Sequence, residues 1–337
     1  MGMRANSKDQ ARLGVIDTMA LGFQTVNRAP AVLAVPILID VLIWLAPRLS
    51  IGAVGDRSLA VLERYLVEAG QSSGLALGQS LQQMQQQIEF ARQIIQAVNL
   101  VALLAFGGFG PQSIVPLERT GIAGRIEIGS GVQAVIAGLL ILLLGWLIAC
   151  FWLGMLGGLV RSEPVSLATT LQRAPGYWIR IVGFTFGLGA AFVAISIPLA
   201  LFSGLLQMFA PAVGAFLAIF VAISLQLLLI WSIIFLFFYV DAIVISGSGP
   251  LRAASQSIRV VATNLGSAFG FILIAWLIAA GLGIAWRSIA ETPIGIALAI
   301  VGNGYVQSGL AAASMVFYRD RIAGNPPRTE VGQRDTR

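Results

Sequence analysis

The stretch VQAVIAGLLILLLGWLIACFWLGMLGGLV, residues 132–160, runs for 29 residues without a charged side chain. The hydrocarbon core of a bilayer takes roughly 20 apolar residues in a helix, so this stretch is long enough to cross a membrane. Five further apolar runs qualify, at residues 29–47, 181–208, 212–240, 265–286 and 294–318. The sequence therefore predicts an all-α, polytopic membrane bundle of six transmembrane helices, paired as three hairpins.

The composition agrees with this fold class and excludes several kinds of chemistry. Of the 337 residues, 57% are apolar and only 11% are charged, whereas soluble domains are about 25% charged. The chain has no histidine, which excludes histidine acid–base catalysis, Ser-His-Asp triads and histidine metal sites. Cys150 is the only cysteine, so a multi-cysteine metal cluster is excluded as well. We therefore expect no catalytic residues, no metal and no cofactor, and a chain that is not an enzyme.

The basic residues sort by membrane side. Fourteen of the 21 Lys and Arg residues fall in the N-terminus, the loops at 161–180 and 241–264, and the C-terminal tail, and seven fall on the other side. Cytoplasmic loops carry the excess of Lys and Arg in membrane proteins. The distribution predicts that both termini lie in the cytoplasm. It also argues against nucleic acid as a partner.

The predicted spans and loops divide one membrane domain, residues 1–337, into four parts. Residues 1–28 are predicted to form a cytoplasmic amphipathic N-terminus, and residues 48–131 an extracytoplasmic helical insertion. Residues 132–318 are predicted to form two helical-hairpin repeats, and residues 319–337 a disordered cytoplasmic tail.

Within the insertion, apolar residues recur at steps of three and four between Leu81 and Val98, which predicts an amphipathic helix. A shorter helix is predicted at DRSLAVLERYLVEAG, residues 56–70, and no reliable strand pattern is visible. The run NLVALLAFGGFG, residues 99–110, is too short to span and is predicted to be interfacial or re-entrant. Two interpretations of the insertion stay open: a cap over the span ends, or a surface that binds a protein partner.

Three segments that precede spans share a pattern. Arg-Ala-Pro occurs at residues 28–30 and again at 173–175, and Pro164 and Pro250 each stand nine residues before an arginine. Proline favours the first turn of a helix. SEPVSLATTLQR and GPLRAASQSIR are therefore predicted to be short surface helices that begin at proline, with DTMALGFQTVNR as the first copy. The predicted unit is an interfacial amphipathic elbow helix followed by a hairpin, repeated three times.

The clearest of these elbows is GPLRAASQSIRVVATNLG, residues 249–266. Its apolar stripe consists of Leu251, Ala254, Ile258, Val261 and Leu265. Arg252 and Arg259 mark a different, polar face, which suits a helix at an anionic lipid surface. Two hypotheses follow: an elbow that fixes the tilt of the next span, or a contact for a lipid headgroup or a partner through Arg252 and Arg259. Arg173, in the preceding copy, is a third candidate contact.

Four polar residues within the predicted spans are candidate functional residues: Asp40, Gln226, Asn303 and Gln307. Ionisable groups are costly in a membrane and often functional, and Asn303 and Gln307, four apart, share a helix face. Hydrogen bonding between helices explains all four, and a polar transport path near Asp40 and Asn303 is the alternative. Asp241 falls at the end of the fourth span, where we expect it to be hydrated.

The segment FYVDAIVISGSGPLRAASQSIRVVATNLG, residues 238–266, resembles a group of bacterial polytopic membrane proteins. The group includes the membrane domain attached to some glycerophosphodiester phosphodiesterases and related uncharacterised integral membrane proteins. The resemblance is carried by Ala253, Ala254, Ser257, Arg259 and Asn264. The phosphodiesterase catalytic domain is absent, and a chain without histidine lacks that domain's usual histidines. The resemblance therefore implies a membrane architecture in a bacterial cytoplasmic (inner) membrane, and not phosphodiesterase activity.

Together these observations predict a non-enzymatic accessory or scaffold protein. Its expected partners are membrane lipids and, at the cytoplasmic elbows or the insertion, a protein. The alternative is a transporter or permease for a small molecule or lipid, with its path near Asp40 and Asn303. An intramembrane hydrolase fits least, because no nucleophile–base pair is visible in the sequence.

Overall fold

The computed structural model describes residues 13–72, 78–107, 110–114, 124–164 and 166–323. The fold is all-α, and 85% of the residues are helical. Eleven α-helices occur in the described ranges: α1 (Val15–Arg28), α2 (Ala34–Leu45), α3 (Gly52–Ser72), α4 (Gly78–Ala97), α5 (Gly131–Val160), α6 (Leu167–Phe209), α7 (Pro211–Phe235), α8 (Tyr239–Ser246), α9 (Pro250–Thr263), α10 (Leu265–Ile289) and α11 (Pro293–Ala323). Two 3₁₀ segments, Pro30–Leu33 and Leu100–Ala105, and two strands, β1 (Arg48–Ser50) and β2 (Arg125–Glu127), complete the described elements.

Five of these helical stretches are long and apolar enough to cross a membrane: α5, α6, α7 with α8, α10 and α11. A sixth span results if α1 and Pro30–Leu45, which are bent by 96° to each other, are counted as one. Pro30–Leu45 alone is about 25 Å long at 1.5–2.0 Å per residue, which is shorter than a hydrocarbon core of about 30 Å. The predicted polytopic membrane bundle is confirmed, and its first span is the irregular one.

The described residues fall into two compact units. Unit one comprises Met1–Ala29, Leu153–Ile278 and Gly309–Arg337, and unit two comprises Pro30–Trp152 and Ala279–Ser308. The core of unit one is aromatic: the rings of Phe238 and Phe317 stack at 5.1 Å, and the ring of Phe271 lies 5.0 Å from that of Phe317. All three side chains are fully buried. They join the turn between α7 and α8 to α10 and α11.

Three helices of unit one begin with the same pattern of small, buried residues, which we call the docking pattern. Their fourth and eighth residues are small and buried: Thr18 and Gly22 in α1, Thr170 and Ala174 in α6, and Ala253 and Ser257 in α9. Small residues four apart let a helix approach a neighbour closely. In α1, a methyl group added to Gly22 would lie 2.5 Å from the backbone nitrogen of Ala313 in α11. Thr170 approaches Gly154 of α5 in the same way.

The predicted threefold repeat therefore has a structural counterpart, but in a different register. The Arg-Ala-Pro match aligns Arg28 with Arg173, whereas the docking pattern aligns Gly22 with Ala174. The second elbow also differs from its prediction, which was wrong on two points. The helix begins at Leu167 rather than at Pro164, and it runs on without interruption through Pro175 to Phe209. Pro175 and Pro198 both lie inside this helix, where each removes one backbone hydrogen bond.

In unit two, the run at residues 99–110 does not span. Its described part forms the 3₁₀ segment Leu100–Ala105, which opens at Asn99, whose side chain accepts a hydrogen bond from the N–H of Val101. Val101, Leu104 and Ala105 pack with α2 in one buried cluster. Gly145 of α5 lies against this segment, since an added methyl group there would meet the carbonyl oxygen of Leu104 at 2.4 Å. The segment is thus buried between α2 and α5.

The insertion contains the two predicted helices as α3 and α4. Arg92 of α4 forms ion pairs at 2.9–3.5 Å with three carboxylates, those of Asp56, Glu63 and Glu89. No side chain is described for Leu81 and Met84 of the predicted apolar stripe, but Ile88 is buried as that stripe requires. The sequence shows no reliable strand pattern here, yet β1 and β2 pair in parallel, with Leu49 opposite Ile126. Three-residue strands carry no periodicity that a sequence could reveal.

The chain ends differ slightly from their predicted boundaries. α11 continues to Ala323, so the tail predicted to begin at residue 319 begins later. Residues 1–12 and 324–337 lie outside the described residues, and so does the predicted disorder of the tail.

Candidate functional site

The site begins with a break in the fourth long apolar stretch. α7 ends at Phe235 and α8 begins at Tyr239, so backbone groups at the break need partners from elsewhere. The buried hydroxyl of Ser257, from α9, donates to the carbonyl oxygen of Phe235 at 2.7 Å and accepts from the N–H of Phe238 at 3.1 Å. One side chain therefore satisfies both groups and attaches α9 to the break.

Four polar side chains from α8, α9, α11 and the intervening turn form a chain of hydrogen bonds, which we call the hydroxyl–amide chain. The hydroxyls of Ser246 and Tyr318 lie 2.9 Å apart. Tyr318 donates to the Oε1 atom of Gln256 at 3.1 Å, and the hydroxyl of Ser248 donates to the same oxygen at 2.7 Å. Within the part of the chain that the structure describes, the Nε2 atom of Gln256 has no hydrogen-bond partner.

Asp241 lies beside this chain and is buried. Its side chain is 6% exposed and accepts a hydrogen bond from the hydroxyl of Ser314. Asp241 also interacts electrostatically with Tyr318, which follows Ser314 by one turn of α11. The expectation that Asp241 is hydrated was wrong, because its carboxyl group is buried against Ser314 and Tyr318 of α11.

Arginines cap the end of α8. Gly247, in the left-handed conformation with φ of 62°, ends the helix and leaves carbonyl groups without helical partners. Arg161 donates to the carbonyl oxygen of Val244 at 2.6 Å, and Arg180 donates to that of Gly247 at 2.9 Å. Cations at a helix C-terminus also oppose the negative end of the helix dipole. These two arginines are therefore structural.

Arg173, one of the predicted headgroup contacts, lies in the second turn of α6 and forms an ion pair with Glu163 in the loop before the helix. Its guanidinium lies 3.6 Å from the carboxylate of Glu163, which also binds Arg161 at 2.8 Å. The hydrogen bond from Arg161, together with the charges of both arginines, lowers the pKa of Glu163. Arg173 thus already has an anionic partner within the protein.

α9 has three distinct sides. One side packs into unit one through Ala253, Ser257, Val260 and Val261. A second is apolar and exposed, with Leu251 at 81%, Ile258 at 45% and Leu265, just after the helix, at 50% exposure. Arg252 is exposed and Arg259 half-buried, and both interact electrostatically with Tyr318. The predicted apolar stripe is correct at these three exposed positions, but Val261 belongs to the buried side and Ala254 is half-buried.

A second polar cluster lies in unit two around Asp40 of α2, which is 2% exposed. Asn303 of α11 donates to its Oδ2 atom at 3.4 Å and to the carbonyl oxygen of Gln112 at 2.7 Å. The hydroxyl of Ser113 and the N–H of Ile114 also face the carboxyl group. The Oδ1 atom makes no hydrogen bond of normal geometry with the described residues.

The structure therefore brings together two of the four candidate polar residues. Asp40 and Asn303 are in contact, as a shared polar path would require. Gln307 is half-buried and makes no side-chain hydrogen bond within the described residues. Gln226 belongs to unit one and is exposed on α7. Among the described residues, no group of three or more Cys, Asp or Glu side chains is placed to hold a metal ion.

Sequence reasoning missed the hydroxyl–amide chain. Gln256 and Tyr318 are 62 positions apart, so no local pattern joins them. Two weak signals exist: Ser246 and Ser248 flank the helix-ending Gly247, and Ser314 and Tyr318 share one face of α11.

Comparison with protein-family models, curated proteins and solved structures finds no match for this chain. The resemblance to phosphodiesterase-linked membrane domains therefore stays a prediction. The functional proposals below depend on the geometry of the chain itself.

Proposed function

We propose that this chain is a non-enzymatic accessory or scaffold protein of the bacterial inner membrane that holds anionic lipid, and through it a partner, at the cytoplasmic face. The observation that carries the proposal is the three-sided form of α9. One side anchors the helix to unit one, a second exposes apolar residues, and the arginines lie between them. A helix with these sides is suited to the boundary between headgroups and acyl chains.

The exposed residues Leu251, Ile258 and Leu265 recur every seven positions and so lie on one side of the helix. Buried in the headgroup boundary, this side would orient the helix in the membrane plane. Arg252 and Arg259 would then face lipid phosphates, to which guanidinium groups bind through paired N–H donors. An arginine near an anionic leaflet contributes about 1 kcal/mol to binding. The anchor at Ser257 supplies a helix that is already positioned for this contact.

The test compares lipid retention by the wild type and by an Arg252→Gln/Arg259→Gln variant. Each protein is reconstituted with phosphatidylglycerol and phosphatidylcholine and re-purified, and its bound lipid is measured by native mass spectrometry. Loss of two arginine contacts of about 1 kcal/mol each should lower phosphatidylglycerol retention by about tenfold or more.

The matched control is Arg64→Gln/Arg287→Gln, which removes two exposed arginines from the predicted extracytoplasmic side. This variant should retain the wild-type amount of lipid. Equal retention by the α9 variant and the wild type would contradict the proposed function.

A second candidate function is favoured by the cluster around Asp40. A buried carboxyl group in a membrane protein with one oxygen that lacks a normal hydrogen bond is suited to proton or cation passage. Proton flux into proteoliposomes, followed with a pH-sensitive dye, tests this candidate. A transporter should lose flux in Asp40→Asn while keeping its thermal stability. Absence of flux in the wild type removes the candidate.

A further inference from the structure

We propose that Gln256 binds the phosphate group of the anionic lipid alongside Arg252 and Arg259, and that Tyr318 and Ser248 position its amide for this role. The inference deepens the proposed function, on which it rests, by naming the recognised group and the residues that orient the contact. Two hydrogen bonds converge on the Oε1 atom of Gln256.

Two hydrogen bonds to its oxygen atom fix the orientation of the Gln256 amide group. Its Oε1 atom accepts from the hydroxyl of Ser248 at 2.7 Å and from that of Tyr318 at 3.1 Å. An amide oxygen has two lone pairs, and both are used here. The Nε2 atom and its two N–H donors must therefore lie on the opposite side of the amide group. Since Ser246 contacts Tyr318 at 2.9 Å, the hydroxyl of Tyr318 is itself held in place.

Gln256 shares one side of α9 with two arginines. Arg252, Gln256 and Arg259 follow each other at steps of four and three, and so occupy one side of α9. Tyr318, which donates to the Gln256 amide, also interacts electrostatically with both arginines. The residues of α9 include no Asp or Glu, and Asp241 is buried and bonded to Ser314. Within α9, the residues of this side are therefore cationic or neutral, and none is a carboxylate.

The chemistry of these donors selects a phosphate group. Guanidinium groups pair with two phosphate oxygens at once, and a preset amide adds two donors without any cost of reorienting. The adjacent exposed side chains of Leu251, Ile258 and Leu265 favour phosphate carried on a lipid over phosphate free in solution, because they supply a place for the acyl region.

The decisive variant is Gln256→Glu. A carboxylate at this position still accepts from Ser248 and Tyr318, so the fold is kept, but it offers no donor and repels phosphate. We expect phosphatidylglycerol retention to fall by about tenfold or more, since hydrogen bonds to charged groups contribute about 1.5–3 kcal/mol. Gln133→Glu, at an exposed position near the start of α5, makes the same charge change away from α9 and should retain lipid.

Tyr318→Phe tests the positioning role. This change removes one of the two hydroxyls that hold Oε1 and keeps the aromatic ring. The measured quantity is the ratio of bound phosphatidylglycerol to bound phosphatidylcholine, which a general loss of stability would not change. We expect this ratio to fall about threefold, and thermal unfolding of each variant shows that it is folded. An unchanged ratio overturns the positioning role of Tyr318.

The outcomes separate this inference from the proposed function. If the arginine variant loses lipid and Gln256→Glu retains it, the role of Gln256 is overturned and the proposed function stands. If both variants retain lipid, both proposals fail. A parallel arm adds excess inorganic phosphate to the wild type: displacement of phosphatidylglycerol by phosphate alone would identify free phosphate as the ligand and overturn the lipid assignment. A co-purifying protein that is lost from Gln256→Glu while lipid is retained would overturn it too.

Discussion

The hydroxyl of Ser257 attaches α9 to the break between α7 and α8 by hydrogen bonds to two backbone groups. It bonds the carbonyl oxygen of Phe235 and the N–H of Phe238, on either side of the break between α7 and α8. In an apolar environment each group would otherwise be unsatisfied. The family resemblance already included Ser257, Ala253 and Asn264, and the structure supplies physical reasons for them. Ala253 docks α9, Ser257 fills the break, and Asn264 donates to the carbonyl oxygen of Val260 at 3.0 Å.

Ser257→Ala should therefore destabilise the protein measurably. The change leaves a buried carbonyl and a buried N–H without their partner, at a cost of about 1–3 kcal/mol. Thermal unfolding in detergent should show a lower midpoint than for the wild type. Ser255→Ala is the matched control, because Ser255 is exposed and its hydroxyl bonds only the carbonyl oxygen of Arg252 in its own helix. Equal midpoints for the two variants would contradict this role of Ser257.

Gly22 gives a second test at the residue scale. An added methyl group would lie 2.5–2.6 Å from the backbone nitrogen, Cα and Cβ of Ala313, and backbone atoms cannot move aside cheaply. Gly22→Ala should cost about 1–3 kcal/mol, the usual penalty of overpacking. At Gly266 of α10 the same methyl group meets nothing within 4 Å, so Gly266→Ala should be neutral or stabilising, since alanine favours helix by about 1 kcal/mol. The two unfolding midpoints, measured side by side, decide whether α1 docks on α11 as described.

At the scale of elements, apolar length predicts spans well and predicts their ends less well. The run at 132–160 corresponds to α5 within one residue. The run at 181–208 is only the later part of α6, which starts at Leu167. The polar residues of its first turns, such as Thr169 and Gln172, resemble a surface loop by composition. Thr170 and Ala174 are buried by packing against neighbouring residues. This packing stabilises the first turns as helix, and composition does not reveal it. The pairing of β1 with β2 was missed for the same reason, since long-range contacts decide it.

The loop before α6 makes a prediction about pH. The hydrogen bond from Arg161, and the charges of Arg161 and Arg173, lower the pKa of Glu163 below its value in an unfolded chain. A lowered folded-state pKa means that the stabilisation is present above the unfolded pKa, about 4.3, and is lost as the pH falls through the folded value. We expect the amides of residues 161–163 to exchange faster below that range, after correction for intrinsic rates.

Glu163→Gln should reproduce this effect at neutral pH. An exposed ion pair contributes about 0.2–1 kcal/mol, so protection from hydrogen exchange in the loop should fall about 1.5- to 5-fold. Glu68→Gln, in an exposed part of α3, is the control and should leave the loop unchanged. Hydrogen exchange followed by mass spectrometry gives both results. Protection that is independent of both pH and the Glu163 side chain would show that the backbone hydrogen bonds of residues 161–163 hold the loop.

At the scale of the whole molecule, the distribution of arginine is the only sequence signal for orientation, and the structure gives part of it a local cause. Arg161 and Arg180 cap α8, and Arg319 donates to the carbonyl oxygen of Val160 at the end of α5. Arg321 lies over the ring of Phe317 at 4.9 Å and donates to the carbonyl oxygen of Leu13. The positive charge on this side therefore stabilises helix ends within unit one. Because those charges are also the ones that orient a membrane protein during insertion, one set of residues would determine both fold and topology.

Cysteine labelling tests that topology directly. Cys150 is fully buried, so the wild type should react weakly with a membrane-impermeant maleimide and provide a low background. Ser255→Cys places a thiol on the exposed side of α9, and Gln93→Cys places one on the exposed side of α4. With the N-terminus in the cytoplasm, Gln93→Cys should react in intact spheroplasts and Ser255→Cys only after the membrane is opened. The reverse pattern would place α9 outside the cell. It would also remove the anionic cytoplasmic leaflet as its lipid surface, so this labelling result bears on the proposed lipid contact as well as on the orientation.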